Sequence, residues 1–428
     1  MDLDTVETRV MTAMSRLVNR PVALVKSRRD RPEVVYGLLA VVIAVYVDWF
    51  ITLSLRMYYG YNYPPFDLSI FNQGLWLLSH GHSPFVTVMG RNLFGDHTSF
   101  VLLPLVAIYR FFPEPQGILI LQTLALASAA IPIYLIALKR LASIWQATAL
   151  ATVFLLNPIL QLGNLDQFHP EAFQVVIISW AIYAALEWRP DLLAVMFLLA
   201  LMVKEDALML VLPLALWVAI RRDRRTGVTL ALAALAWAAL ANYVVIPGFL
   251  HSSSFYAGRL PFGGIHGTLA TLVHNPGAFF SYLVSQGRPF YLWQLGATVG
   301  FGFLLSPEIA TLGSLFVFEN ILSNDVYMHQ ILYQYSLPLT PVLVIGTATA
   351  IARLRKVRTR RLVVGAVLVS ALWTSAVWGY APFSANRVTA YQPPAATAAL
   401  KALEARIPAN AAVCAWYPLV SHLDQRTS

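Results

Sequence analysis

LLAVMFLLALMVKEDALMLVLPLALWVAI, residues 192–220, is an apolar run interrupted once, by Lys204-Glu205-Asp206. Its 29 residues exceed the roughly 20 that one membrane span needs and fall short of two. Three adjacent ionisable groups then either lie at bilayer depth, which is costly, or mark a helical hairpin whose tip opens into a recessed polar cavity. Ionisable groups at such depth usually serve a function. The stretch therefore points to a multi-pass membrane protein with a polar chamber on one side.

The bulk composition agrees. The chain has 428 residues, 58% hydrophobic and only 12% charged, with a mean hydropathy of +0.63. Soluble domains carry roughly 25% charged residues. Several apolar runs reach span length, and backbone polar groups inside a bilayer must be paired internally. Alternating strand patterns are absent, so helices are favoured over a barrel. A net charge of +9 does not indicate nucleic acid here, because the basic residues sit in short loops between apolar runs, as topology signals do. Cys414 is the single cysteine, which excludes an intramolecular disulfide. Residues 1–34 read as a basic cytoplasmic tail without a signal peptide, and the first span as an uncleaved anchor.

Spans are expected near 35–55, 117–138, 143–160, 172–187, 191–203, 207–220, 226–246, 290–305, 308–322, 334–352 and 362–380, about eleven in all. With the N-terminus inside, 20 of the 30 Lys and Arg fall in the cytoplasmic pieces, and that asymmetry sets the orientation. The segment 97–112 is read as a helix in the outer interface, since a span there would throw Lys139-Arg140 and the 353–361 cluster outside. All nine histidines then lie outside, as do Asp67, Asp96, Asp166, Glu171, Glu205, Asp206 and Asp325. Asp48 and Glu319 fall within spans and are expected to face the protein interior. The C-terminus is placed outside, in the plasma membrane of the cell.

Four motifs carry candidate chemistry. In the first outer loop, Asp67 follows two prolines and opens a helical pattern, as an N-cap or as a general base. Gly95-Asp96-His97 offers a turn with a helix cap, or a second carboxylate beside an imidazole. Two such carboxylates suit deprotonating a hydroxyl or holding a divalent cation, Mg or Mn, through oxygen. The spacing of a zinc site is lacking. The second loop holds Asp166, His169 and Glu171, either a solvated turn before a proline-led helix or a functional trio. Lys204-Glu205-Asp206 is either an internally paired ion cluster or a recessed site in which Lys204 meets a phosphate oxygen. The loop 247–289, with Ser252-Ser253-Ser254 and Tyr256, carries Arg259, a solvated cation or an anion contact. Tyr327, Tyr333 and Tyr335 read as interface anchors.

PFDLSIFNQGLW (65–76), GDH (95–97), FHPE (168–171) and KED (204–206) together resemble a family of predicted bacterial and archaeal membrane proteins of unknown function. That family is similar in layout to the GT-C glycosyltransferases, which include the protein mannosyltransferases and the aminoarabinose transferase of lipid A. The resemblance runs from about residue 35 to the C-terminus. It implies an all-α, polytopic GT-C-like domain over 35–380 with interfacial helices in the first outer loop. It also implies transfer of a sugar from a polyprenyl-phosphate donor to an envelope glycan, lipid or protein on the outer face. By position, Asp67 looks like the acidic residue that acts as catalytic base, and Asp96 is the second candidate. Lys204 and Arg259 look like donor-phosphate contacts, with His97, Asp166, His169, Glu171, Glu205 and Asp206 around the substrate. Asp67 lacks the paired acids of a DxD motif. Residues 381–428 resemble the start of a small outer α/β domain. The expected partners are the bilayer and the lipid-linked sugar, without nucleic acid. The rival readings are a transporter or flippase of lipid-linked or small polar substrates, for which repeated halves with broken spans are the sign, and a non-catalytic envelope scaffold.

Overall fold

The structure is a computed structural model that describes residues 32–251, 257–386, 397–408, 410–416 and 419–427. The basic tail up to residue 31, Ser252-Ser253-Ser254 and Tyr256 lie outside the described residues. The fold is helical, and the described residues hold one small antiparallel ladder, Phe85–Val86 with Arg91–Asn92.

Every stretch expected to span is helical, but not every one is long enough to cross alone. Five helices are long and apolar enough: Tyr36–Tyr59, Pro115–Leu141, Arg224–Leu250, Gln334–Ala352 and Val357–Trp378. A sixth is the bent pair Ile144–Leu155 and Pro158–Leu165, which meet at 43°. The bend follows from Pro158, which cannot continue the preceding helix, and from Asn157, whose side chain accepts from the Ile159 N–H at 3.0 Å and starts a new one. The remaining stretches are shorter or divided. Glu171–Glu187, Pro190–Val203 and Leu208–Arg221 have 17, 14 and 14 residues. At 1.5 Å per residue these reach about 25, 21 and 21 Å, against a hydrocarbon core of about 30 Å. Residues 288–305 and 307–322 are each split into short pieces, the first at 298–301 and the second by the 3-10 turn Thr311–Gly313.

Basic loops gather at one end of the bundle. Arg222 donates from Nε to the Ala185 carbonyl at 3.0 Å, and Lys139 pairs with Glu187. Arg353 pairs with Glu308, and its Nη1 reaches the Leu305 carbonyl at 2.8 Å. The acidic loops described below lie at the other end. The interfacial segment of the first loop is the eight-residue helix Leu102–Tyr109. At about 12 Å it is too short to cross a bilayer. It buries Leu102, Leu105 and Tyr109 and exposes Leu103 and Ile108.

Asp48 does not face the interior. It is exposed. The adjacent Trp49 donates from Nε1 to the Tyr380 carbonyl at 2.7 Å. Asp48 thus sits level with the end of the Val357–Trp378 helix rather than at mid-depth, where exposure of a carboxylate would cost most. Glu319 is, by contrast, largely enclosed, with Oε2 buried.

The described part of 381–428 contains the short helices Thr397–Glu404 and Val420–Leu423 and folds onto the first loop. His422 stacks between Tyr58 and Tyr61, with ring centres 4.2 and 4.1 Å away. Asn72 donates to Asp424 at 2.6 Å, and Gln73 to the Arg426 carbonyl at 2.9 Å. These bonds hold the Asp67–Ser79 helix from above.

Small residues allow the closest helix approach. A Cβ on Gly227 would lie 2.2 Å from the Ala219 nitrogen, a backbone atom that cannot step aside. Close packing of this kind drives helix association in membranes. Gly227→Ala is therefore expected to destabilise the Leu208–Arg221 and Arg224–Leu240 pair by about 1–3 kcal/mol. Thermal melting in detergent reads this directly, and an unchanged Tm contradicts it.

Candidate functional site

The Lys204 hairpin tip builds the site. Lys204 is extended, with φ −166° and ψ 155°, and ends the Pro190–Val203 helix. The carbonyls left open at that end need partners. One is supplied from the first loop, where the Val101 N–H donates to the Met202 carbonyl at 2.8 Å. A short 3-10 turn, Glu205–Ala207, then leads into Leu208–Arg221.

Lys204 and Glu205 bind two different elements, and Asp206 pairs with Lys204 within the tip. The Lys204 ammonium, 4% exposed, lies 2.9 Å from Glu171 Oε1 and 3.2 Å from Asp206 Oδ2. Burial pushes this ammonium down, but Asp206, Glu171 and Glu205 together hold it well above its ordinary value. Glu205 Oε1 lies 2.6 Å from His97 Nδ1, and its Oε2 accepts from the Thr98 N–H at 3.1 Å. Burial opposes a charged imidazole, yet the Glu205 carboxylate outweighs it and the His97 pKa is raised. Glu205 in turn is drawn down to about 2, burial being overcome by His97 and Lys204. One tripeptide thus ties the hairpin to the start of Glu171–Glu187 and to the first loop.

A cavity of about 640 Å³ opens beside it. Asp67, Asp96, His97, Asp166, His169, Glu171, Lys204 and Arg259 all line it. Glu205 and Asp206 stand behind as the partners of His97 and Lys204. The ten residues singled out from the sequence therefore form one assembly.

Asp67 is not an N-cap. Phe66 holds the cap position, and Asp67 is the first residue of Asp67–Ser79, without a side-chain cap bond. Gln167 does the work assigned to a cap: its Oε1 accepts from the Leu68 N–H at 3.1 Å, while its Nε2 donates to Asp67 Oδ2 at 3.3 Å. Gln167 takes a left-handed φ of 69°, a conformation costing of order 1–3 kcal/mol that persists only where surroundings enforce it. Buried Gln122 supplies that enforcement. Its Nε2 donates to the Gln167 and Asn164 carbonyls at 2.6 and 3.0 Å, and its Oε1 accepts from the His169 N–H at 2.8 Å.

Asp67 and Asp166 flank one imidazole. His169 Nε2 lies 3.9 Å from Asp67 Oδ2 and 3.7 Å from Asp166 Oδ2, and bonds the Asp166 carbonyl at 2.6 Å. Burial raises the Asp67 carboxyl, only partly offset by His169. Burial likewise pushes Asp166 up to about 7, with Asp67 adding to the rise. Two acids are thus pushed above their ordinary values across one histidine.

Asp96 is differently placed. Arg91 Nη2 lies 2.6 Å from its Oδ1, and His97 Nε2 3.9 Å from its Oδ2. Asn92, not Asp96, caps the short Leu93–Asp96 helix, its side chain accepting from the Phe94 N–H at 3.0 Å. The ring of Tyr335 lies between two cations, 5.8 Å from Lys204 Nζ and 5.9 Å from the Arg259 guanidinium carbon. Tyr327, Tyr333 and Tyr335, read from the sequence as interface anchors, line the cavity. Arg91, Gln122 and Gln167 were not legible in the sequence, since polar residues in loops and spans give no local signal of their partners. Among the described residues, no group of three or more His, Cys, Asp or Glu is arranged to hold a metal ion.

A helical bundle with a charged cavity at one end and short basic loops at the other defines an integral membrane protein. The chain belongs to the family described as predicted membrane protein (DUF2079), which it matches over residues 58–428. No curated protein matches it. Membership states a membrane location and assigns no activity.

The His97–Glu205 pair gives a signed pH prediction. Glu205 stabilises above its ordinary 4.5 and loses that contribution as pH falls through about 2. His97 stabilises fully below its ordinary 6.5 and loses the contribution as pH rises through its raised folded value. Glu205→Gln should therefore lower Tm more at about pH 5.5 than at about pH 9. Equal losses at both would contradict a charged pair.

Proposed function

We propose that this protein is a GT-C-like glycosyltransferase that moves a sugar from a polyprenyl-phosphate donor to an envelope acceptor at the outer face of the plasma membrane. In this reading all eleven helical stretches contribute to crossing the bilayer, the short and divided ones where protein rather than lipid surrounds their ends, the N-terminus is cytoplasmic and the acidic cavity faces outward. The observation that carries it is the pairing of Asp67 and Asp166 about His169 inside a cavity that Arg259 also lines.

The chemistry follows from those groups. The acceptor hydroxyl gives its proton to the Asp67 carboxylate, the one-third-exposed member of the pair. Its oxygen bonds to the anomeric carbon as the bond from that carbon to the phosphate oxygen breaks. The electron pair leaves on the lipid phosphate, and Arg259 stabilises the growing charge. Lys204 is already neutralised by Glu171 and Asp206, so it shapes the site rather than binding phosphate. Asp96 is already engaged by Arg91 at 2.6 Å. Asp166 replaces it as the second acid.

Transfer should rise with pH as the raised Asp67 and Asp166 carboxyls lose their protons, Asp166 at about 7. Asp67→Asn is expected to lower the rate by 10²-fold or more in a membrane assay with radiolabelled polyprenyl-phosphate sugar. Normal transfer by a stable Asp67→Asn protein sinks the assignment. Movement of the labelled lipid across a reconstituted bilayer without sugar transfer identifies a flippase instead.

Orientation has its own test. Cys414 is the single cysteine and is exposed. A membrane-impermeant maleimide should label it on intact cells, and should leave a cysteine placed at Arg358 in a Cys414→Ser chain unlabelled. The reverse pattern would invert the topology.

A further inference from the structure

A second cavity, of about 400 Å³, shares a wall with the first. The wall is the segment after Leu322. Tyr327, Tyr333 and Tyr335 face the charged cavity, while His329, Gln330 and Leu332 line the second. The chemistry changes completely across it. Among the described residues lining the second cavity there is no Asp, Glu, Lys or Arg.

Four carboxamides line it instead: Gln286, Gln294, Gln330 and Asn386. Each carboxamide offers both a donor and an acceptor. The buried His329 imidazole joins them, and burial beside Arg288 lowers its pKa and keeps it neutral; Asp325 opposes that shift only weakly. Phe290 and Trp378 supply apolar ring faces. Trp378 is braced edge-on by Trp293 at 5.5 Å and by Phe290 at 6.3 Å, which fixes its indole.

The walls are also prebuilt. Arg288, fully buried, donates to the carbonyls of Ile321 at 2.7 Å and Ser323 at 3.0 Å, and to Gln286 Oε1 at 3.0 Å. It locks the start of the Arg288–Ala297 helix to the wall segment. Rigid walls spare a ligand the entropy of ordering them.

An uncharged ligand rich in hydroxyls, with one apolar face, fits this lining. Hydroxyls pair with carboxamides in both directions, and the C–H face of a sugar ring packs on indole and phenyl faces. A charged headgroup would lose its hydration here without gaining a counter-ion. The volume lies within the ~300–1,000 Å³ of ligand sites. We propose that this second cavity binds an uncharged glycan, docking the sugar chain of the acceptor apart from the reacting hydroxyl. The docking role rests on the transferase reading; the binding itself does not. Binding energy gathered away from the reacting atoms is a recognised means of positioning them.

The test uses the full chain in lipid nanodiscs and saturation-transfer NMR. The probes are neutral tetrasaccharides of glucose, mannose, galactose or arabinose, with tetragalacturonate as a charged control. At least one neutral probe should bind at about 10 mM or below, while tetragalacturonate does not. Gln330→Ala and Asn386→Ala should each weaken binding roughly fivefold with an unchanged Tm. Asp67→Asn should leave it unchanged. The proposal is overturned if no neutral probe binds, if the charged probe binds equally, or if neither variant weakens binding. Glycan binding by a protein that transfers no sugar keeps the second cavity and removes the transferase. Sugar transfer without glycan binding does the reverse.

Discussion

A lysine ammonium removed from water must be surrounded by carboxylates, and Lys204 organises the charged end of this protein on that condition. Its partners come from two elements: Glu171, from the helix that follows the second loop, and Asp206, from its own turn. Glu205 extends the network to His97 and Thr98 in the first loop. Taking one partner away from a buried pair costs about 3–5 kcal/mol, whereas replacing the whole pair with apolar groups is often neutral. Such a network therefore fixes where three elements meet more than it adds to stability. Meeting there, they leave a cavity rather than a packed core, and they aim the second loop at the first.

The two cavities divide the chemistry between them. One is lined by carboxylates, guanidinium groups and tyrosines, the other by carboxamides and aromatic rings. The segment between them presents tyrosines to one side and His329 and Gln330 to the other. Hydrogen bonds to backbone carbonyls, from Gln122 and Arg288, hold the loops that line each. Both anchors lie at helix positions, so that each set of lining groups stands on a rigid element. The C-terminal segment adds a third support, through Asp424 and Asn72, above the helix that begins with Asp67.

Much of this was legible in the chain. The interruption at 204–206 marked the hairpin tip, because an apolar run tolerates ions only where they are paired. The distribution of Lys and Arg separated the two ends, because short loops carry that bias strongly. What escaped depended on rotation and distance. Asp48 was assigned inward on depth alone, but its face of the helix is set by packing, and the Trp49–Tyr380 bond lifts it to the end of a neighbouring helix. Asp67 was offered as a cap, whereas a glutamine 100 residues away supplies the cap bond. Arg91 gave no signal, being one basic residue in a loop. Tyr335 looked like a membrane anchor because its two cations arrive from Lys204 and Arg259, remote in sequence. The breaks within 288–305 and 307–322 escaped because composition registers apolarity and not continuity.

The ion network is the claim on which the rest stands, and a double-mutant cycle on Lys204→Met and Glu171→Leu measures it most directly. Lys204→Met leaves Glu171 and Asp206 buried without their cation, and Glu171→Leu leaves Lys204 with Asp206 as its remaining ion-pair partner, so each should destabilise the folded chain, the first more strongly. The double change removes both members of this pair but leaves Asp206 without its ammonium, so it should recover part of that loss, giving an interaction energy of about 0.5–3 kcal/mol. Additive losses would mean that the two groups do not meet in the membrane, and the cavity built around them would not stand.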